Sequence, residues 1–117
     1  MATKYKAVSA AGNTTAEGTL LYTVPAGRIA KLTFASSNNG YAALGIKKNG
    51  SENMIAGPTI SSLFIASWGT NASNAYAVKC SDLGIYFSEG DEIYAINNSS
   101  YPLFISLIEE YEEADNA

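Results

Sequence analysis

Apolar and polar side chains alternate along this chain in short runs, the period-two signature of strands with one buried face, and most runs end in Gly, Pro, Asn or Ser. The pattern predicts strands over Tyr5–Val8, Thr19–Val24, Ile29–Ala35, Ala42–Lys47, Asn53–Ala56, Thr59–Ala66, Ala75–Cys80, Ile85–Phe87, Glu92–Ile96 and Leu103–Tyr111. Leu20, Tyr22 and Val24 fall on one face, and Ala30, Leu32 and Phe34 share a face further on. Only Thr59–Ala66 offers a competing helix, because Ile60, Leu63 and Phe64 stand at helical spacing. Its two serines and its β-branched residues favour a strand.

Two turns organise these runs. Leu21–Arg28 contains Val24-Pro25-Ala26-Gly27, and Phe87–Glu92 contains Ser88-Glu89-Gly90-Asp91. Each is expected to close a hairpin, with Pro25 at the first central turn position supplying a fixed φ and Gly27 supplying a conformation other residues enter only with strain. Ser36–Gly40 reads as a loop, Asn49-Gly50 as a type I′ hairpin turn, and Gly57-Pro58 as a further break. Trp68–Asn74 is expected to be the longest irregular stretch. Short strands with such connections describe an all-β fold, a single-domain antiparallel β-sandwich of jelly-roll type. The expected boundaries are an N-terminal arm over 1–17, the sandwich over 18–111 and an acidic tail over 112–117.

Composition sharpens this picture in three ways. At 117 residues the chain holds one core, large enough to bury about two-thirds of the unfolded surface. Only 15% of its residues are charged, well under the usual quarter, which favours a surface that stays associated with other protein. The net charge of −4 is uneven: Glu109, Glu110, Glu112, Glu113 and Asp115 crowd the C-terminus, and the tail is expected to be solvated. The basic residues Lys4, Lys6, Arg28, Lys31, Lys47, Lys48 and Lys79 are scattered, so no nucleic-acid partner is expected. No apolar run reaches membrane-spanning length and Met1–Lys6 lacks the apolar core of a signal peptide, so synthesis in a cytoplasm and no membrane partner are expected. The glycosylation triplets beginning at Asn13, Asn49, Asn71, Asn97 and Asn98 carry little weight in an Asn- and Ser-rich chain.

Candidate chemistry is sparse. There is no histidine, which removes the usual acyl-transfer triads and most zinc sites. The single cysteine, Cys80, can form no internal disulfide and reads as a small buried hydrophobe. Glu89, Asp91 and Glu92 lie together as a glycosidase or calcium site would require, but Ser-Glu-Gly-Asp-Glu fits a turn whose charges keep an exposed tip solvated. No catalytic residue, cofactor or metal is therefore expected. The candidate binding surface is the Trp68–Asn74 loop, where Trp68 offers area and Asn71 and Asn74 offer hydrogen bonds, with Tyr41 and Tyr101 as further stacking surfaces; the competing reading is a Trp68 that closes one end of the sandwich above an ordinary loop.

The segments Leu21–Arg28, Ile46–Gly50 and Leu83–Ile93, followed by a closing strand ending in Glu109-Glu110-Tyr111, together resemble a family of small tailed-bacteriophage virion proteins. In that family a strand ends in Thr-Val-Pro-Ala-Gly, a middle hairpin carries an Asn-Gly turn, and a late Gly-Asp turn leads into a β-branched strand. The resemblance spans Leu20 to Tyr111 and implies a virion structural role. On it rests the expectation of a capsid decoration, or cement, protein on the outer capsid surface, bound as a homotrimer to the major capsid protein and bracing the shell against internal genome pressure. The alternative it leaves open is a tail- or head-fibre module that binds a host receptor or glycan. The family has no catalytic residues to transfer.

Overall fold

The computed structural model describes residues 2–37, 42–50, 70–72, 75–79, 81, 84–97 and 99–113. Nine strands form among these residues: β1 (Ala2–Asn13), β2 (Thr19–Thr23), β3 (Arg28–Ser37), β4 (Ala43–Lys47), β5 (Thr70–Ala72), β6 (Ala75–Lys79), β7 (Tyr86–Ser88), β8 (Glu92–Ile96) and β9 (Pro102–Glu113). They make a six-stranded sheet in the order β1-β9-β3-β6-β5, with β7 pairing β3, and a three-stranded sheet in the order β2-β8-β4. All the strand pairs are antiparallel. The protein is thus all-β with a sandwich-like arrangement of two sheets. The finer jelly-roll expectation turns on Asn53–Ala56 and Thr59–Ala66, which lie outside the described residues, as does Cys80.

The core forms where the sheets face each other. Leu32 from β3 and Leu103, Ile105 and Leu107 from β9 meet Leu44 and Ile46 from β4 and Ile93 and Ala95 from β8. Strict alternation along β9 puts these three residues inside and Phe104 and Ile108 outside. Burial of each large aliphatic side chain contributes about 1.5–3 kcal/mol, so this layer is the main source of cohesion.

Neither organising turn closes a hairpin. β2 belongs to the small sheet and β3 to the large one, so Val24–Gly27 carries the chain across the core, and Glu89–Asp91 likewise links β7 of the large sheet to β8 of the small one. The first turn is closed by Arg28 N–H donating to Pro25 O at 3.2 Å. Pro25 is therefore its leading residue, Ala26 and Gly27 are its centre, and Gly27 takes φ of 76° as position three of a type II turn requires.

Two β-bulges overturn two face assignments. An irregularity between Leu20 and Tyr22 turns Leu20 outward, half exposed, while Leu21 and Tyr22 pack against the core. Another between Leu32 and Phe34 sends Phe34 to the outer face and puts Ala35 inside. An extra residue in one strand reverses the sidedness of everything after it.

The expected N-terminal arm contributes a full element. Ala2–Asn13 pairs with β9 along its whole length, from Ala2 opposite Glu113 to Asn13 opposite Pro102. β9 itself continues through Glu112 and Glu113, so the acidic run is partly strand.

Candidate functional site

Among the described residues, three places concentrate polar or exposed aromatic chemistry. The first is the end of the sandwich where the three sequence motifs meet. Val24 N–H donates to Asp91 O at 3.0 Å and Gly90 N–H to Val24 O at 2.9 Å, which joins the two crossing turns. The Asp91 carboxylate accepts from Ser88 N–H at 2.9 Å within its own turn, and from Asn49 N–H at 2.9 Å and Lys48 Nζ at 2.7 Å on the turn after β4. Gly90 has φ of 81°, and a side chain there would fall on Asn49. The expectation of an exposed, solvated tip holds for Glu89 but fails for Asp91, which is only 2% exposed. Burial opposes its charge most strongly, yet the bonds from Lys48, Asn49 and Ser88 together hold its carboxyl below the ordinary value.

The second place lies on the inner face towards the same end, where β9 runs past the apolar core. Glu109, an acid of the C-terminal run that falls within the predicted strand Leu103–Tyr111, is 3% exposed. It accepts from the Tyr22 hydroxyl and from Arg28 Nη1 at 2.6 Å, and the Arg28 guanidinium lies 3.9 Å from the centre of the Tyr111 ring. Arg28 and Tyr111 are direct cross-strand neighbours, which sets this stacking. Burial, then the bond to Glu109, raises the Tyr22 hydroxyl well above its ordinary value.

The third is the outer face of the large sheet, where side chains from four strands lie side by side. One row reads Ser88, Ile29, Glu110, Tyr5 across β7, β3, β9 and β1; the next reads Tyr86, Lys31, Ile108, Ala7. Tyr5 is 68% exposed and Tyr86 57%, with Ile29 and Ile108 also open. Together with Lys31 and Glu110 they line a shallow depression of about 260 Å³. Further along the same face Phe104 meets Phe34 edge-on, ring centres 6.2 Å apart.

Of the candidate binding residues, only Asn71 and Tyr101 fall among the described residues. Trp68, Asn74 and Tyr41 lie outside the described residues. Asn71 sits in β5 opposite Tyr76, so Thr70–Ala72 is a strand and not part of a loop. Tyr101, just ahead of β9, has its backbone held by Thr14: Thr14 N–H donates to Tyr101 O at 2.8 Å and Tyr101 N–H to Thr14 Oγ1 at 2.9 Å. Sequence reasoning missed Tyr5 and Tyr86 as surface residues, and period-two alternation alone leaves open which face of a strand is inside. Among the described residues no group of three or more carboxylate or thiol side chains is placed to hold a metal ion. Comparison with protein-family models, characterised proteins and solved structures finds no significant match to this chain.

Proposed function

We propose that this protein is a structural component of a tailed-bacteriophage virion: a capsid decoration protein that sits on the outer shell as a homo-oligomer and binds the major capsid protein. The observation that carries this reading is the meeting of the three motifs on which the resemblance rests. Val24, Asn49 and Ser88–Asp91 are far apart in sequence yet form one hydrogen-bonded end of the sandwich. Turns bonded to one another act as one structural unit, which supports reading the three segments as one motif.

Two further features favour a role in assembly. The two carboxylates buried among the described residues, Asp91 and Glu109, are engaged by structural partners that hold turns and strands in place. The outer face of the large sheet exposes large apolar side chains from four strands, a pattern that marks association surfaces. Negative-stain microscopy of particles with and without the protein tests the proposal. Density lost from the shell alone supports decoration. Loss at the tail tip would move the protein to the fibre-module class, and particles identical in both preparations would refute a virion role.

A further inference from the structure

From the arrangement of the outer face of the large sheet we infer that it is a two-fold interface that pairs with the same face of a second copy. The inference rests on the homo-oligomeric half of the proposal above and is independent of the virion half. Around the centre of the depression the four middle positions are Ile29 and Lys31 on β3 and Glu110 and Ile108 on β9, with Ile29 opposite Glu110 and Lys31 opposite Ile108. The two isoleucines therefore occupy one diagonal and the two charges the other. A two-fold axis lying in the face along the isoleucine diagonal leaves each isoleucine near its own copy. The same axis carries Lys31 of each chain over Glu110 of the other. The strands of the two sheets then cross steeply, as in orthogonally packed sheets.

Charge is the argument for a second copy over an unrelated partner. Lys31 and Glu110 have no ion-pair partner among the described residues; Lys31 only leans towards the Tyr86 ring, 5.7 Å from its centre. One cation and one anion at diagonal positions complement each other under two-fold symmetry, the self-complementarity that an isologous contact needs. Tyr5 and Tyr86 flank the diagonals on β1 and β7 and supply the aromatic contact enriched at such interfaces. With side chains of about 150–250 Å² each, the exposed fractions of the two tyrosines alone leave roughly 250 Å² open. The isoleucines and Phe104 extend this to the size of a functional patch. Such a pairing closes at two copies, so it replaces the three-fold symmetry implied by the resemblance.

The test is sedimentation equilibrium of the full chain from about 1 µM to about 1 mM, the range suited to a small interface. A dimer of twice the 12.3 kDa chain is expected. Lys31→Glu and Glu110→Lys alone each place two like-charge pairs in the contact and should weaken dimerisation at least about tenfold. The double exchange restores two opposite pairs and should return it to within about threefold of the original. Tyr5→Ala, at a position too exposed to matter for folding, should also weaken it. A trimer, a monomer throughout, singles that dimerise normally, or a double exchange as weak as the singles would each overturn the inference. Failure here leaves the microscopy result untouched, so the two readings fall separately.

Discussion

Asp91→Ala should be the most damaging change at an apparently ordinary turn. The residue joins three segments: its own turn through Ser88 N–H, and the turn after β4 through Asn49 N–H and Lys48. Removal leaves two backbone donors without their acceptor, at about 1 kcal/mol each where water can partly replace it. The Lys48 bond adds little, because that side chain is 50% exposed and exposed ion pairs contribute under about 1 kcal/mol. The expected loss is about 2–3 kcal/mol, which for a domain of this size lowers Tm by roughly 6–15 °C. Glu89→Ala, two residues earlier and exposed, should stay within about 0.5 kcal/mol.

The pH dependence gives a second reading of the same group. The folded-state pKa of Asp91 lies below its unfolded value of 3.8, so its stabilisation is present above that value and is lost as pH falls through the lower folded one. Urea unfolding of the wild type and of Asp91→Asn at about pH 7 and about pH 3 should show the variant's deficit shrinking in acid. An Asp91→Ala protein that melts within about 2 °C of wild type, or a deficit independent of pH, would refute the claim that this carboxylate pins the turns.

The remaining predictions concern the crossing turns and the Glu109 cluster. Gly27→Val should cost about 1–3 kcal/mol through backbone strain alone, since open space surrounds a side chain there, while Ala26→Ser should leave the melting curve unchanged. Glu109→Gln should cost about 2–4 kcal/mol, below the figure for a fully buried pair because Arg28 is 26% exposed; chemical denaturation measures it. The folded-state pKa of Tyr22 is raised above its unfolded value of 10.0, so its stabilisation is intact below that value and declines as pH rises beyond it. Tyr22→Phe should flatten the alkaline limb of the stability profile. Chelator should leave Tm unchanged, and a fall of more than about 3 °C would assign a metal to the Asp91 turn.

Much of the fold was legible because alternation and turn residues are local signals. Glu92–Ile96 matches the predicted strand residue for residue, and Thr19–Thr23 and Ala43–Lys47 differ from their predictions by one position. The failures share one cause, the absence of pairing information. Pro-Ala-Gly between two apolar runs has the same chemistry whether the runs pair with each other or pass to different sheets, so both crossing turns read as hairpins. Bulges at Leu21 and Thr33 add a residue without any compositional mark, and Leu20 and Phe34 were assigned to the wrong faces. Ala2–Asn13 was underestimated because its Lys, Ser and Ala side chains show little alternation; its ladder with β9 extends the strand. Glu109 belongs by charge to the acidic run and by position to the predicted strand Leu103–Tyr111, and only strand alternation tells that Glu109 turns inward and Glu110 outward.

The same missing information explains why the outer face was invisible. Tyr5, Ile29, Tyr86 and Ile108 each read locally as a residue of a predicted or apolar strand, and nothing near any of them in sequence says that its apolar side faces away from the core. Only the registers of β1 with β9, β9 with β3 and β3 with β7 bring them into adjacent rows. Lys31 and Glu110 gain their meaning in the same step. Each is an ordinary solvated charge in its own strand and becomes half of a diagonal pair once β3 lies against β9. Low overall charge pointed towards association without indicating where. The location proposed for it is the outer face of the large sheet, which gathers apolar area and a matched pair of charges on a surface that the small sheet leaves uncovered.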